Sequence, residues 1–302
     1  MSHMSHMASA TSPVFSIIIP TWNNLPYLRL CVESLRKHSR LAHEIIVHVN
    51  EGIDGTRDYL DAEGILYTQS ATNIGICRAA NEAGRASTAP LVCLLNDDMY
   101  CLPEWDSILA ARIASLGTDL YCVSGTMIEP IFSRNPCATV GDFGTSLETF
   151  RESELLSRFN DFRNHDWFGS CFCPCVMTRT LWDRIGGLSE EFSPGMSSDP
   201  DMAMKLWVEG CRIFLGVGDS LVYHFQCKST GRIEKNPGPQ QFLHKWRITQ
   251  ASFNRHYLRK GQRATTLRLP EPKLTPSYLF DYARSKLKLA MAGSAASPSA
   301  RS

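Results

Sequence analysis

Two adjacent carboxylates, Asp97 and Asp98, follow an apolar run at residues 91–95 and are preceded directly by Asn96. The run is short enough for a strand that is buried on both faces of a parallel sheet. Two carboxylates at the end of such a strand are costly to desolvate unless a cation or a ligand occupies the site. The residues therefore predict a site for a cation or polar ligand. The simpler alternative is a solvated acidic turn before a helix that Pro103 begins.

The elements that would position these carboxylates are strands and helices that alternate at short intervals. Apolar side chains recur at helical spacing between the predicted strands, as they do in residues 25–35. This alternation predicts an α/β fold, with a Rossmann-like, mostly parallel sheet flanked by helices. Ligands of such sheets bind beyond the carboxyl ends of the strands, where Asn96-Asp97-Asp98 would lie. Buried strands are predicted at 15–19, 44–49, 65–68 and 91–95.

The loop after the first strand reads Pro20-Thr21-Trp22-Asn23-Asn24, so it lacks the G-x-G-x-x-G of dinucleotide-binding proteins. A P-loop with G-x-x-x-x-G-K-[ST] is absent as well. A nucleotide diphosphate bound by this fold would therefore need another source of positive charge. A divalent cation held by Asp97 and Asp98 would supply it.

Several motifs in this order resemble the inverting family 2 glycosyltransferases, which have the GT-A fold. The resemblance spans about residues 15–257 and implies transfer of a sugar from a nucleotide-diphosphate donor. The motifs are Ile17-Ile-Ile-Pro-Thr-Trp-Asn23, Glu51-Gly-Ile-Asp-Gly-Thr56, Asn73-Ile-Gly-Ile-Cys-Arg-Ala-Ala-Asn81, Asn96-Asp-Asp98, the block 177–192, Asp199-Pro-Asp-Met-Ala-Met-Lys-Leu-Trp207 and Tyr223-His224-Phe225.

The resemblance implies a bound Mn²⁺ or Mg²⁺, with Asp98 and His224 as its ligands. Asp97 matches the carboxylate that contacts the ribose or a metal-bound water. A structural role is the alternative for His224, since a lone His at a strand end is more often structural. The resemblance also makes Asp199 the general base, since Ser198-Asp199 stands where the family usually has Glu-Asp. Asp201, two residues further on, is the rival candidate.

Donor contacts are expected from the loops after the first strands, again by resemblance. Glu51 stands where the family commonly has an aspartate that reads the base. Arg78 could face the diphosphate, and the alternative is a solvated helix charge. The expected donor-binding residues are Pro20, Thr21, Asn23, Glu51, Asn73, Arg78, Asn96 and Asp97.

The composition fits a globular protein without disulfides or membrane spans. Hydrophobic residues make up 43% and charged residues 20% of the 302 residues. The eleven cysteines are odd in number and scattered, which favours free thiols in a reducing compartment. Cys171, Cys173 and Cys175 lack the C-x₂-C spacing of zinc sites and predict a buried strand. We expect a cytoplasmic protein, either free or bound peripherally to the inner face of the cytoplasmic membrane.

The basic C-terminal end of the chain is the feature that suggests contact with a membrane. From residue 259 onward there are nine Lys/Arg against two Asp/Glu. Phe280, Ala283, Leu287 and Met291 share one face of a predicted helix that carries cations elsewhere. Such a helix can lie on an anionic membrane surface, and packing on its own domain or on a partner is the alternative. We predict an expression tag at 1–12, a GT-A domain at 13–258 and a basic helical extension with a disordered end at 259–302.

These observations predict a metal-dependent inverting glycosyltransferase. Its acceptor would be a hydroxyl of a saccharide or lipid-linked molecule, and the resemblance implies a role in the synthesis of surface polysaccharide or glycolipid. Asp142, Trp167 and Phe168 could contact the sugar, and the polar segment 226–239 could form a lid. Two alternatives remain, a sugar-1-phosphate nucleotidyltransferase and a catalytically silent nucleotide- or glycan-binding module.

Overall fold

The structure, a computed structural model, describes residues 12–227 and 234–295 of the 302-residue chain. Nearly all of the predicted expression tag, the centre of the predicted lid and most of the predicted disordered end therefore lie outside the described residues. The described chain forms one sheet of ten strands. The strands are β1 (Phe15–Trp22), β2 (His43–Asn50), β3 (Leu66–Ser70), β4 (Leu91–Leu94), β5 (Met99–Cys101), β6 (Tyr121–Glu129), β7 (Ala138–Val140), β8 (Trp167–Phe168), β9 (Cys175–Thr178) and β10 (Ile213–His224).

Helices connect these strands and cover the sheet, as the sequence predicts. The shorter helical turns are Phe159–Phe162, Glu190–Phe192 and Phe253–Tyr257. The α-helices are α1 (Leu25–His38), α2 (Thr56–Ala62), α3 (Gly75–Arg85), α4 (Trp105–Ala114), α5 (Glu152–Arg158), α6 (Arg179–Ile185), α7 (Ser198–Val208), α8 (Gly238–Trp246), α9 (Gln250–Ser252) and α10 (Pro276–Ala295).

The strand order is β3-β2-β1-β4-β9-β6-β10-β5, with β7 beside β6 and β8 beside β10. The pairs β3/β2, β2/β1, β1/β4 and β6/β10 are parallel, whereas β9 runs antiparallel between β4 and β6. Because β9 is antiparallel to both neighbours, β4 and β6 point the same way. The carboxyl ends of β1, β2, β4, β6 and β10 therefore meet at one edge of the sheet. The predicted α/β class is confirmed.

The first strand is longer than predicted, since β1 continues through Pro20 to Trp22 in register with β2. On its other side β4 pairs with β1 only as far as Ile18. One edge of β1 is therefore open at Pro20, where a residue without an N–H is tolerated. The extension carries Thr21 and Trp22 out to the edge where the strands end.

The first turn of α1, the helix after β1, is capped by a residue from the loop after β2. Asn24 is the N-cap residue of α1, but its side chain makes no capping hydrogen bond. The Leu25 N–H instead donates to Asp54 Oδ2 at 2.9 Å, and Asp54 Oδ1 accepts from the Thr56 hydroxyl at 2.6 Å. Asp54 thereby satisfies an otherwise unpaired N–H of α1 and fixes the start of α2.

The cysteine-rich segment is buried, but only its last residue begins a strand. Pro174 follows Cys173 and has no N–H for a ladder bond, so β9 starts at Cys175 rather than at Cys171. All eleven cysteines are free thiols, as expected, and all but Cys227 are buried.

The segment after Leu258 forms backbone hydrogen bonds with β8. The Phe168 N–H donates to the Gln262 carbonyl at 2.8 Å, and the Gly261 N–H donates to the Phe168 carbonyl at 2.8 Å. Further along, α10 packs on α8 and α9. None of the described helices is both long and apolar enough to cross a membrane.

Candidate active site

A cavity of about 470 Å³ opens at the edge where β1, β2, β4, β6 and β10 end. It brings together residues that are far apart in the sequence. The predicted site residues that line it are Pro20, Thr21, Asn73, Asn96, Asp97, Asp98 and His224. Asn50 and Glu129, which the sequence analysis did not select, also line it, as do Gln226 and Cys227 at the start of the predicted lid segment.

The two carboxylates after β4 are held by β1 on one side and by the segment at the end of β10 on the other. Asp97 Oδ2 accepts a hydrogen bond from the Thr21 hydroxyl at 2.7 Å. Asp98 is buried, and its Oδ2 accepts from the Cys227 N–H at 2.7 Å. Asp98 Oδ1 lies 3.4 Å from His224 Nε2, at the end of β10. The carboxylates are therefore fixed parts of the cavity and not a solvated turn.

Glu129, the last residue of β6, supports His224 from behind. Its Oε1 lies 3.0 Å from His224 Nδ1, and its other oxygen accepts a hydrogen bond from Ser133. Glu129 is only 4% exposed, so the contact is shielded from water. The sequence analysis missed Glu129 because the strand that it ends contains Ser124, Gly125 and Thr126, unlike the uninterrupted apolar run at residues 91–95.

The charged groups of this cluster shift the pKa values of His224 and Glu129. Burial alone would lower the pKa of His224, but Asp98 and Glu129 outweigh it and raise the pKa to about 10. Burial would raise the pKa of Glu129, but hydrogen bonds from His224 and Ser133 outweigh it and lower the pKa. With Asp97, the cavity presents three carboxylates to one imidazole, an arrangement that favours a cation.

Asp98 and His224 together fit a divalent cation. One carboxylate oxygen and one ring nitrogen face each other across 3.4 Å in the same cavity. Glu129 engages Nδ1, which leaves Nε2 toward Asp98, and a carboxylate on the far ring nitrogen is the usual support of a metal-binding His. Within 12–227 and 234–295, no three His, Cys, Asp or Glu side chains form a group that could hold an ion by itself. The pair suits a cation that takes its other ligands from phosphate and water.

Amide side chains shape the wall of the cavity next to β2. The side-chain N–H of Asn50 donates to the Thr21 carbonyl at 3.2 Å, and its Oδ1 accepts from the Ile74 N–H at 2.9 Å. Asn73 Oδ1 accepts from the Gly75 N–H at 2.9 Å, at the start of α3. Gly75 has φ +77°, and a Cβ there would lie 2.9 Å from the Pro194 Cα. A side chain at position 75 would therefore clash with the backbone of Pro194, which also lines the cavity.

Asn23 and Glu51 lie together beside Trp22. Glu51 Oε2 accepts from the Trp22 indole at 2.9 Å and from the Asn23 amide at 3.0 Å. Of these three side chains only Trp22 lines the cavity. The geometry makes Glu51 a support for the Trp22 ring.

The structure does not bring Arg78 to the cavity. Its Nε lies 3.1 Å from Glu190 Oε2, and its side chain is 55% exposed. It points to the outer surface because α3 presents its small residues Ala79, Ala80 and Ala83 to the core. The alternative of a solvated helix charge describes it better.

The first turn of α7 separates Asp199 from its rival Asp201. Burial raises the pKa of Asp199 to about 6, against the opposing effect of the Lys260 ammonium. A carboxylate with this pKa is a stronger base than an exposed one and is still ionised at neutral pH. Asp201 is fully buried, 2.9 Å from Lys245 Nζ, and accepts from the Trp246 indole at 2.7 Å. Asp201 therefore joins α7 to α8. Asp199 is not among the residues that line the cavity, and its role as a base stays a prediction.

The aromatic residues expected to contact a sugar are buried instead. Trp167 and Phe168 are 6% and 3% exposed, and the Trp167 indole donates to Thr126 Oγ1 at 2.8 Å. Trp167 packs flat against Gly216 of β10, where a Cβ would lie 1.9 Å from the indole ring. Phe172 is partly exposed, and its ring centroid lies 4.0 Å from the ammonium of Lys260. The charge of Lys260 opposes the rise in the pKa of Asp199.

Comparison with known sequences identifies the family of this chain. Residues 16–180, more than half of the chain, match the sequence profile of "Glycosyl transferase family 2". The chain belongs to glycosyltransferase family 2. The match covers the strand ends that carry Thr21, Asn50, Asp97 and Asp98. Asp199 and His224 lie beyond it, so in this family 2 protein their roles depend on the geometry above.

Two curated proteins are similar to this family 2 chain. Validoxylamine A glucosyltransferase of Streptomyces hygroscopicus subsp. jinggangensis is 27% identical over 237 residues, which cover 68% of this chain and 54% of that protein. The uncharacterized protein y4gI of Sinorhizobium fredii is 24% identical over 213 residues, which cover 66% of this chain and 23% of that protein. The chain thus spans about half of one relative and about a quarter of the other.

Solved structures share the fold. S. aureus TarS 1–349 in complex with UDP-GlcNAc has a TM-score of 0.54 at 16% identity, covering 76% of this chain and 63% of that one. GalNAc-T7 with UDP, GalNAc and Mn²⁺ has a TM-score of 0.53 at 13% identity, covering 76% of this chain and 45% of that one. The expected GT-A fold is confirmed.

Proposed function

We propose that this family 2 glycosyltransferase moves a sugar from a nucleotide-diphosphate donor to a hydroxyl acceptor, with inversion and with the help of Mn²⁺ or Mg²⁺. The observation that carries the proposal is the cluster of Asp98, His224 and Glu129 in a cavity at the carboxyl ends of the strands. TarS and GalNAc-T7 have been solved with UDP, and GalNAc-T7 with Mn²⁺ as well, which supports a nucleotide donor and a cation.

The donor would lie along the cavity from β2 toward β10. The nucleoside would occupy the wall formed by Trp22 and Asn50, and the ribose would contact Asp97, whose carboxylate Thr21 holds in place. The diphosphate would then meet Asp98 and His224. A cation bound by these two residues would offset the charge that develops on the leaving diphosphate.

The transfer itself would be a single displacement. The acceptor hydroxyl oxygen forms a bond to the anomeric carbon as the bond from that carbon to the diphosphate breaks. Asp199 takes the hydroxyl proton, and burial prepares it for this step by raising its pKa to about 6. We propose a saccharide or lipid-linked acceptor, in the synthesis of surface polysaccharide or glycolipid. Peripheral contact with the cytoplasmic membrane would bring the enzyme to such an acceptor.

The test is thermal stabilisation by a panel of nucleoside diphosphates, with and without Mn²⁺. A ligand that binds only the folded state raises the melting temperature; at a concentration about 100 times its Kd it adds about 2.7 kcal/mol. We expect one nucleotide to stabilise the wild type only when Mn²⁺ is present. Asp98→Ala should abolish that gain, whereas Asp219→Ala, at an exposed residue outside the cavity lining, should retain it.

Turnover separates transfer from binding alone. Release of the stabilising nucleotide from its sugar conjugates, with water or added saccharides as acceptor, should occur with the wild type and fail with Asp199→Asn. No stabilisation by any nucleotide in the presence of Mn²⁺ would refute the donor site. Mn²⁺-dependent binding without release from any conjugate would instead indicate a silent binding module.

A further inference from the structure

The C-terminal helix α10 buries two polar side chains and exposes several large apolar ones, while Tyr278 and Leu289 are half-buried. Asp281 and Ser285 are 7% and 0% exposed. Leu279, Phe280 and Leu287 are 51%, 68% and 62% exposed. This is the reverse of an ordinary surface helix, which buries its apolar stripe.

Specific hydrogen bonds hold the helix in this orientation. Asp281 Oδ2 lies 2.8 Å from His256 Nε2 and 3.1 Å from Arg255 Nη1. The Ser285 hydroxyl accepts from the Thr249 N–H at 3.1 Å and donates to the Asp281 carbonyl at 2.8 Å. Rotating the apolar side chains inward would break these bonds and bury cations, so the exposed face is a fixed feature of the fold.

The exposed face has an apolar centre and basic borders. At about 100° per residue, Leu279, Ala283 and Leu287 form one row, and Phe280 lies beside it. Arg284 and Lys288 follow along one border of this row. Lys286 lies along the other border, where its ammonium is 5.0 Å from the Tyr282 ring centroid. All three cations are exposed.

The charges decide what can cover this face. The only acid between Lys273 and Met291 is Asp281, and it is buried and paired. Two copies of α10 placed face to face would bring their cations together with no exposed acid on either helix to pair them. An anionic bilayer is complementary in both respects, because its headgroups meet the cations and its acyl boundary takes the apolar row.

We propose that the exposed face of α10, formed by Leu279, Phe280, Ala283, Leu287 and the bordering cations Arg284, Lys286 and Lys288, binds the surface of an anionic lipid bilayer. The helix lies in the plane of the interface and does not cross it. This inference does not depend on the proposed transfer chemistry, since it concerns a surface whose residues are absent from the donor cavity lining.

The test is co-sedimentation of the whole chain with vesicles, without any donor. We expect binding to vesicles of equal parts phosphatidylglycerol and phosphatidylcholine, with at least about tenfold weaker binding to pure phosphatidylcholine. The apolar variant Phe280→Ser/Leu287→Ser and the charge variant Arg284→Gln/Lys286→Gln/Lys288→Gln should each bind the anionic vesicles about tenfold more weakly. Raising the salt concentration should weaken the wild type and leave the charge variant nearly unchanged.

The matched control is Leu66→Ser, which removes a 53% exposed apolar side chain on the edge strand β3. It should bind vesicles like the wild type, and far-UV circular dichroism should show that all variants are folded. Equal binding by the wild type and the apolar variant, or none to anionic vesicles, would overturn the proposal. So would light scattering that shows a wild-type dimer and a monomeric apolar variant, because a second copy would then cover the face. Failure of nucleotide binding would leave each of these outcomes unaffected.

Discussion

Asp199→Asn should make the protein more stable and less active at the same time. The carboxyl of Asp199 is held in a partly buried position where burial raises its pKa from 3.8 to about 6. Asn has nearly the same shape and carries no charge, so it removes the cost of an ionised carboxylate in this position. It also removes the group that we propose takes the acceptor proton. Substitution of a residue with a purely structural role would not raise the stability and lower the activity together.

The size and the pH range of the gain follow from the pKa. A carboxyl with a raised folded-state pKa contributes stability that is fully present below the unfolded value of 3.8 and is lost as the pH rises through about 6. That interval corresponds to about 3 kcal/mol as an upper bound. Partial solvation of the carboxyl reduces the expected gain to about 1–2 kcal/mol. Asp199→Asn should therefore match the wild type near pH 4 and exceed it by this amount above pH 7.

Urea denaturation at a series of pH values measures this difference. Asp219→Asn is the matched control, since Asp219 is exposed on β10 and its substitution should leave the free energy of unfolding unchanged across the series. Nucleotide release should fall by a factor of about 100 or more in Asp199→Asn. For the wild type it should fall about tenfold per pH unit below pH 6. Parallel stability curves for wild type and Asp199→Asn would refute the argument from burial.

The neighbouring carboxylates should behave differently. Asp201→Asn breaks the buried contact with Lys245 and Trp246 and should lower the free energy of unfolding by about 2–4 kcal/mol. Urea denaturation at pH 7 checks this, and an unchanged midpoint would contradict a structural role. Glu129→Gln should weaken Mn²⁺ binding about tenfold or more without unfolding the chain, because His224 loses the carboxylate that orients it. Electron paramagnetic resonance of Mn²⁺, with the nucleotide found in the thermal panel, measures this affinity. Equal affinities for Glu129→Gln and wild type would show that His224 does not need Glu129.

The sequence predicts those parts of the site that follow obvious buried strands. Residues 91–95 are apolar without interruption, so the carboxylates of Asp97 and Asp98 stand out as functional. Glu129 ends a strand of the same kind, but that strand contains Ser124, Gly125 and Thr126, which hide it from an apolar-run criterion. The pairing of β6 with β10 in the folded sheet decides which side chains contact each other at the strand ends. No pattern in the sequence brings residue 129 to 3.0 Å from residue 224.

Side-chain direction explains why Arg78 and Trp167, two of the predicted residues that do not line the cavity, face elsewhere. Arg78 belongs to a helix that starts at the cavity, but the small residues of that helix face the core and the arginine faces out. Trp167 lies in a short strand whose partner offers Gly216, and an indole fills that gap readily. Sequence spacing places such residues near a site, and packing then decides which of them face it.

Ten of the eleven thiols are buried, and the remaining one, Cys227, lines the cavity at the carboxyl ends of the strands. Its N–H is bonded to Asp98, and burial together with the nearby carboxylates raises its pKa to about 12. An alkylating reagent should therefore modify the folded chain slowly and at this position first. Occupancy of the cavity can be followed by the protection of a single natural cysteine, and exposure of the other ten reports unfolding. The chain thus carries its own chemical probes for ligand binding and for unfolding, and neither requires an engineered label.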